Sequence, residues 1–285
     1  MVLHFGFAIE SNGLLRAAAE VNPMPNYSAI LYEVRDAVAT ITLNRPASAN
    51  ALSNTLSAEV LDAVIRSEEN EQVRAMVITG AGRRFFCAGA DLKSFYSRED
   101  SEALKNGLSL FHVTISRIVR GPMPVIGAIN GTAAGGGLGL ACGCDLLVAA
   151  ESAKFIMAYT RRGLSPDGTT TYFLPRRIGI GRALELAYTN RTLSAREAME
   201  WGIVNRVVPD DDLAREAHAL AAELATGSTQ AFAAAKRLMH AGWSESLESH
   251  IDNELRTVYE RARSDDVKEA IKAFNEKRTP VFKSR

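Results

Sequence analysis

Two short stretches of this chain concentrate small residues where main-chain chemistry is possible. The first is Ile129-Asn130-Gly131-Thr132-Ala133-Ala134-Gly135-Gly136-Gly137-Leu138-Gly139, which continues the apolar run Val125 to Ile129. The second is Phe86-Cys87-Ala88-Gly89-Ala90-Asp91-Leu92, downstream of the apolar run Ala75 to Thr79. Residues without bulky side chains let a ligand reach the backbone, and N–H groups at a helix start have no intrahelical acceptor. One N–H from each stretch, aimed at a single oxygen, makes an oxyanion hole, where each donor is typically worth roughly 3 kcal/mol as negative charge develops. Glycines in such a run also permit close helix packing. A phosphate-cradling loop is excluded, because no Gly-Lys-Ser or Gly-Lys-Thr follows.

The candidate acid is Asp167, in Gly163-Leu164-Ser165-Pro166-Asp167-Gly168-Thr169. A Pro-Asp-Gly sequence is a turn former or a helix N-cap by default. Asp167 precedes an apolar helical stretch, Tyr172 to Leu174, so its carboxylate can also project into a pocket. His112, between Phe111 and Val113 on a largely apolar helix, reads by default as a core or surface histidine. The cysteines Cys87, Cys142 and Cys144 are odd in number, lack a C-x-x-C pair and sit among apolar residues, which points to reduced thiols and no zinc site.

Bulk properties narrow the classes further. Of 285 residues 47% are hydrophobic, enough for a large core, and 33 Lys plus Arg balance 33 Asp plus Glu. With no global field and no basic stripe, nucleic acid and anionic membrane are not expected partners. The apolar stretch Val125 to Ala150 is interrupted by glycines, Asn130 and Asp145, and reads as strand, turn, helix and strand rather than a membrane span. Met1 to Met24 lacks the basic leader, continuous apolar core and cleavage site of a secretory signal, so a cytoplasmic protein is expected.

The elements that must position these groups follow from periodicity. Ile30 to Val34 and Val38 to Leu43 predict a β-hairpin ended by Asn44-Arg45-Pro46. Ser53 is a plausible N-cap for a helix through Leu56, Val60, Leu61, Val64 and Ile65. A strand (75–79), a loop (80–91), a helix (101–120), a strand (125–129) and the glycine turn into another helix follow. Alternating strands and helices predict an α/β architecture. Beyond Asp210 the pattern is helical throughout: 213–224, 229–241, 247–263 and 266–275.

Taken together, the two amide-bearing stretches after their apolar runs resemble the crotonase superfamily, also called the enoyl-CoA hydratase/isomerase family, from roughly Ile30 onward. The resemblance implies a spiral of ββα units over residues 27–210, after a variable lead at 1–26. It also implies a C-terminal helical region, 211–285, that packs subunits into a homotrimer or a dimer of trimers. It makes Ala90 and Gly136 the oxyanion donors, with Ala88, Asp91, Leu92 and Gly135 around the substrate. Lys93 matches a phosphate-contacting position, and Lys277 and Arg278 resemble a group reaching the nucleotide of a neighbouring subunit. Ala49 stands where many relatives carry a basic residue. The implied partner is an acyl-CoA thioester, with coenzyme A as part of the substrate and no separate cofactor or metal. Pocket walls are expected from Phe95-Tyr96-Ser97, the helix of Phe111 and His112, and the C-terminal helices.

The resemblance also ranks activities. The family's hydratases use two glutamates, and the matching positions here are Gly139 and Tyr159, neither of which readily supplies a general base. Asp167 matches an aspartate that shuttles a proton in dienoyl-CoA isomerases and in ring-epoxide isomerases of phenylacetate breakdown. The same position holds the nucleophile of 4-chlorobenzoyl-CoA dehalogenase. His112 matches that enzyme's base, and Tyr159 falls where it has a tryptophan on the nucleophile. Thr189 to Leu193 and His240 to Trp243 are also similar to it, whereas Ala90 replaces an aromatic residue. The implied activity is a double-bond isomerase of fatty acid or aromatic breakdown with Asp167 as acid/base. The alternatives are a dehalogenase-like hydrolase and a noncatalytic acyl-CoA-binding relative.

Overall fold

The computed structural model describes residues 26–91 and 101–283, and of 101–104 only the backbone. The lead at 1–25, Leu92, Lys93 and Phe95-Tyr96-Ser97 therefore lie outside the described residues.

Four ββα units follow one another: β1 (Ile30–Arg35), β2 (Val38–Leu43) and α1 (Asn54–Glu69); β3 (Ala75–Gly80), β4 (Phe85–Cys87) and α2 (Ser101–Arg120); β5 (Val125–Ile129), β6 (Thr132–Ala134) and α3 (Gly136–Gly143); β7 (Leu146–Ala150), β8 (Lys154–Ile156) and α4 (Thr170–Ile178). Then come α5 (Ile180–Thr189), β9 (Thr192–Ser194), α6 (Ala195–Glu200) and β10 (Arg206–Val208). The six-stranded sheet runs β1-β2-β3-β5-β7-β10, and a four-stranded sheet runs β4-β6-β8-β9. From the second unit on, the first strand of each unit joins the large sheet and the second joins the small one. This is the expected spiral.

Local chemistry explains the entry to the spiral. The hairpin turn is Asp36 and Ala37, both at positive φ (53° and 60°), the conformation that matches the twist of paired strands. Strands β3, β5 and β7 are mutually parallel and buried on both faces, so they read as continuous apolar runs rather than alternating ones. Ser53 accepts from the Leu56 N–H and caps α1, as its type predicts.

The small sheet departs from the sequence reading. The stretch 80–91, expected as a loop, contains β4, and the glycine run contains β6. These strands pair in parallel, Phe85 with Thr132 and Cys87 with Ala133. Three residues carry no usable periodicity, so only the pairing partner reveals them. The consequence is functional: the chain leaving β4 and the chain leaving β6 emerge side by side.

Helices α7 (Leu213–Ala225), α8 (Thr229–Ala241), α9 (Leu247–Ala262) and α10 (Asp265–Asn275) form the C-terminal region, without a strand among the described residues. Helix α7 buries Leu213, Ala217, Leu220, Ala221 and Ala225 against the large sheet. Serines at 228, 246 and 264 cap the next three helices. Among the described residues no helix is long and apolar enough to cross a membrane.

Candidate active site

Strand β4 and the chain on either side of it are clamped by hydrogen bonds. Buried Asn50 accepts from the Arg45 N–H (3.0 Å) and donates to the carbonyls of Ala81 (3.0 Å) and Phe85 (2.9 Å). The Leu52 N–H donates to the Gly89 carbonyl (2.8 Å), and the Asp91 N–H donates to the Leu52 carbonyl (3.0 Å). In a parallel bridge of this kind the residue between the two bonds turns its own N–H to the other side. The Ala90 N–H thus faces away from Leu52 and has no backbone acceptor among the described residues.

The second amide comes from the start of α3. Gly135 precedes the helix at φ 53°, ψ −124°, a region that glycine alone enters without strain. Its N–H is held by the Ile156 carbonyl (3.1 Å), while Gly136, at the first helical position, has no intrahelical acceptor. The two turns touch: a Cβ placed on Gly89 would lie 3.1 Å from the Gly136 nitrogen and 2.8 Å from the Ala134 carbonyl. Any side chain at Gly89 would separate the two N–H groups.

Both turns line a cavity of about 250 Å³. Ala88, Gly89, Ala90, Gly135 and Gly136 form one part of its wall; Leu52, Leu108 and Phe111 supply apolar surface; Ala158, Tyr159, Arg162, Leu164, Ser165 and Asp167 complete it. Ala90, Gly136, Tyr159, Ala88, Gly135 and Asp167, named from sequence, are therefore brought to one place. Asp167 is the one carboxylate among the described lining residues.

The Asp167 carboxylate is fixed at both oxygens. The Tyr159 hydroxyl donates to Oδ1 (2.7 Å), and His112 Nε2 lies 3.3 Å from Oδ2. Its carbonyl accepts from the Thr170 hydroxyl (2.7 Å) and N–H (3.2 Å). The following residues, Gly168 and Thr169, both sit at positive φ (57° and 66°), so the turn is tightly bent as it enters α4. Burial, then the Asp167 charge and hydrogen bond, push the Tyr159 phenol far above its ordinary 10.0. Tyr159 is accordingly a permanent donor. His112 is about half exposed and touches Asp167 from outside the lining set.

The helix residue where the hydratase resemblance calls for a glutamate is closed to side chains. A Cβ on Gly139 would lie 2.3 Å from the Gly168 carbonyl oxygen. The Pro-Asp-Gly turn occupies that space.

Other residues named from sequence lie apart from this chain's own cavity. Asp91 pairs with Arg45 (3.1 Å) and does not line the cavity; its carboxylate reinforces the clamp instead. Arg278 is held by Glu269 (2.6 Å) and Glu276 (2.7 Å), and neither it nor Lys277 reaches the cavity. The C-terminal helices contribute no described wall residue. Conversely, the sequence reading missed Leu52, Leu108, Ala158, Arg162, Leu164 and Ser165. Their only signal is proximity to named residues, and the wall forms from segments far apart in the chain. The three thiols are buried and pushed up by it, Cys87 to about 12, so none is a nucleophile. No group of three metal-ligating side chains occurs among the described residues.

The enoyl-CoA hydratase/isomerase family model matches residues 33–285. The chain is 39% identical over 258 residues to 1,2-epoxyphenylacetyl-CoA isomerase of Escherichia coli strain K12, covering 89% of this chain and 97% of that one. It is 39% identical over 233 residues to 4-chlorobenzoyl coenzyme A dehalogenase-1 of an Arthrobacter species, covering 80% and 84%. The crystal structure of an enoyl-CoA hydratase from Bacillus anthracis superposes with a TM-score of 0.86 at 37% identity, covering 90% of this chain and all of that one. Fold, paired amide turns and sequence agree that the chain belongs to the enoyl-CoA hydratase/isomerase family.

Proposed function

We propose that this enzyme isomerises a double bond in an acyl-CoA thioester, with coenzyme A entering as part of the substrate and no further cofactor. The observation that carries the reading is Asp167, the lone described carboxylate of a cavity whose wall also holds two uncommitted N–H groups. The thioester oxygen accepts from Ala90 and Gly136, and the positive end of α3 adds to their field. Asp167 takes a proton from the α carbon; the electron pair moves onto the thioester oxygen as an enolate conjugated with the double bond. Asp167 then returns the proton at the γ carbon and the double bond moves into conjugation. Tyr159 and His112 keep the carboxylate aimed during both transfers. The filled space at Gly139 supports isomerisation over hydration, since the glutamate that delivers water in the hydratases has no room here.

Asp167→Asn tests this. General acid–base catalysis typically contributes roughly 10²–10⁴-fold, so turnover and exchange of the α proton with deuterated solvent should fall by that range while thioester affinity changes little. Full activity in the variant would remove Asp167 from the mechanism.

The His112 contact at 3.3 Å favours a second reading, in which Asp167 attacks a chlorinated ring and His112 activates the water that cleaves the aryl ester. That reading requires chloride release from 4-chlorobenzoyl-CoA and accumulation of the covalent adduct in His112→Gln. A noncatalytic relative would bind a panel of thioesters and turn none over.

We further infer a cytoplasmic enzyme with 27–210 as the catalytic spiral and 211–285 as the subunit-packing region. Leu247, Ile251, Leu255 and Val258 form an exposed apolar row on α9, which supports assembly into a trimer or a dimer of trimers.

A further inference from the structure

Arg162 is a charged wall residue that the isomerase mechanism does not use. It closes a single 3-10 turn, Thr160–Arg162, that starts directly after Tyr159. The Arg162 N–H donates to the Tyr159 carbonyl (2.9 Å), and Gly163, at φ 71°, returns its own N–H to Thr160 (3.0 Å). The side chain is exposed at the cavity, and its Nη1 donates to the Ala158 carbonyl (3.1 Å). Ala158 itself sits at φ 62°, a conformation costly for a residue with a Cβ.

Some arginines of this chain are neutralised locally, among them Arg45 by Asp91, Arg191 by Glu185 and Glu197, and Arg278 by Glu269 and Glu276. Arg162 has no carboxylate within ion-pair distance among the described residues. The nearest acid on the shared wall, Asp167, is already engaged by Tyr159 and His112. A guanidinium stays charged at any working pH and presents planar, paired N–H donors suited to a carboxylate.

The cavity's volume of about 250 Å³ lies below the range of roughly 300–1,000 Å³ for drug-sized ligands, so it suits a short acyl group. With the thioester oxygen on Ala90 and Gly136, the far end of that group meets the remaining wall. We propose that Arg162 is a specificity residue that selects short acyl groups ending in a carboxylate, the CoA thioesters of dicarboxylic acids. This rests on the acyl-CoA reading of the cavity. Arg162 offsets the repulsion between such a carboxylate and Asp167, and a hydrocarbon tail leaves the guanidinium without that partner.

The test is calorimetric binding of glutaryl-CoA, pentanoyl-CoA and free CoA to the purified full chain and to Arg162→Met and Arg162→Lys. The wild type should prefer glutaryl-CoA over pentanoyl-CoA by roughly tenfold or more, as charge-assisted pairs do. Arg162→Met should abolish that preference without weakening pentanoyl-CoA or CoA, and Arg162→Lys should restore part of it. Equal affinity of the wild type for the two thioesters would overturn this inference and leave the acyl-CoA reading standing. Uniform weakening of all three ligands in Arg162→Met would also overturn it, assigning the residue to the carrier's phosphates. Failure of every CoA ligand to bind would overturn both readings. Arg162 is exposed, and a melting curve of each variant separates binding effects from loss of fold.

Discussion

Replacing Gly139 with alanine would drive a methyl group into the turn that carries Asp167. The new Cβ would stand 2.3 Å from the Gly168 oxygen, 3.0 Å from its carbonyl carbon and 3.3 Å from its Cα, against an ordinary contact of 3.4 Å or more. The Gly168 peptide must therefore retreat by about 1 Å. It is backbone, and it is pinned: its oxygen accepts from the Thr169 hydroxyl (2.6 Å), and the adjoining Asp167 carbonyl is held by Thr170. The retreat cannot be absorbed by a side-chain rotation and must carry Asp167 with it. A misplacement of about 1 Å costs on the order of 10²-fold in rate, because reacting groups leave attack geometry. Overpacking a core typically costs about 1–3 kcal/mol. For a chain of 285 residues that lowers the melting temperature by roughly 2–5 °C. The assay is α-proton exchange of a saturating CoA thioester, with thioester affinity and thermal melting measured on the same samples. Wild-type exchange together with an unchanged melting temperature would refute the claim that the Asp167 turn fills the space over Gly139.

Other perturbations probe the surrounding supports. Tyr159→Phe removes the donor on Asp167 Oδ1 and should lower turnover about 10–100-fold with little effect on thioester affinity, matching a lost hydrogen bond to a charged group. The Lys236 side chain, 9% exposed, pairs with Asp145 (2.8 Å) while donating to the Ile118 carbonyl (2.6 Å), so it ties α8 to the end of α2. Lys236→Met should destabilise by about 3–5 kcal/mol in denaturant titration, because the remaining charge is left unpaired; adding Asp145→Asn should recover part of the loss. Burial raises the Glu59 pKa, but N–H groups of Ser28 and Ala29 and the Ser28 hydroxyl more than offset it and hold the carboxyl below its ordinary 4.5. Since the folded value lies under the unfolded one, this contribution is present above about pH 4.5 and lost as pH falls further. The denaturant midpoint of the wild type should consequently drop more steeply below that pH than the midpoint of Glu59→Gln.

Much of the frame was legible in residue order because it rests on short-range physics. Ser53 announces a helix start through a side-chain bond three residues away, and the structure shows Ser228, Ser246 and Ser264, not singled out from sequence, doing the same. The runs at 75–79 and 125–129 announce strands buried on both faces, and the two glycine-bearing turns announce bare amides. Family likeness added Asp167, Tyr159 and His112, and the structure gathers those three within hydrogen-bonding distance. Pairing between distant segments decided the rest. The four strands of the small sheet are each three residues long and exist through their partners. Asp91 turns to Arg45, 46 positions away, rather than to the cavity. Gly139 is a glycine because of a carbonyl at Gly168, and Arg162 becomes a wall residue only when β8 lies beside β6. Periodicity and capping act within a few residues and so are written in local order. Cavity shape and charge pairing depend on which remote segments are brought into register, and that is settled only by the closed fold.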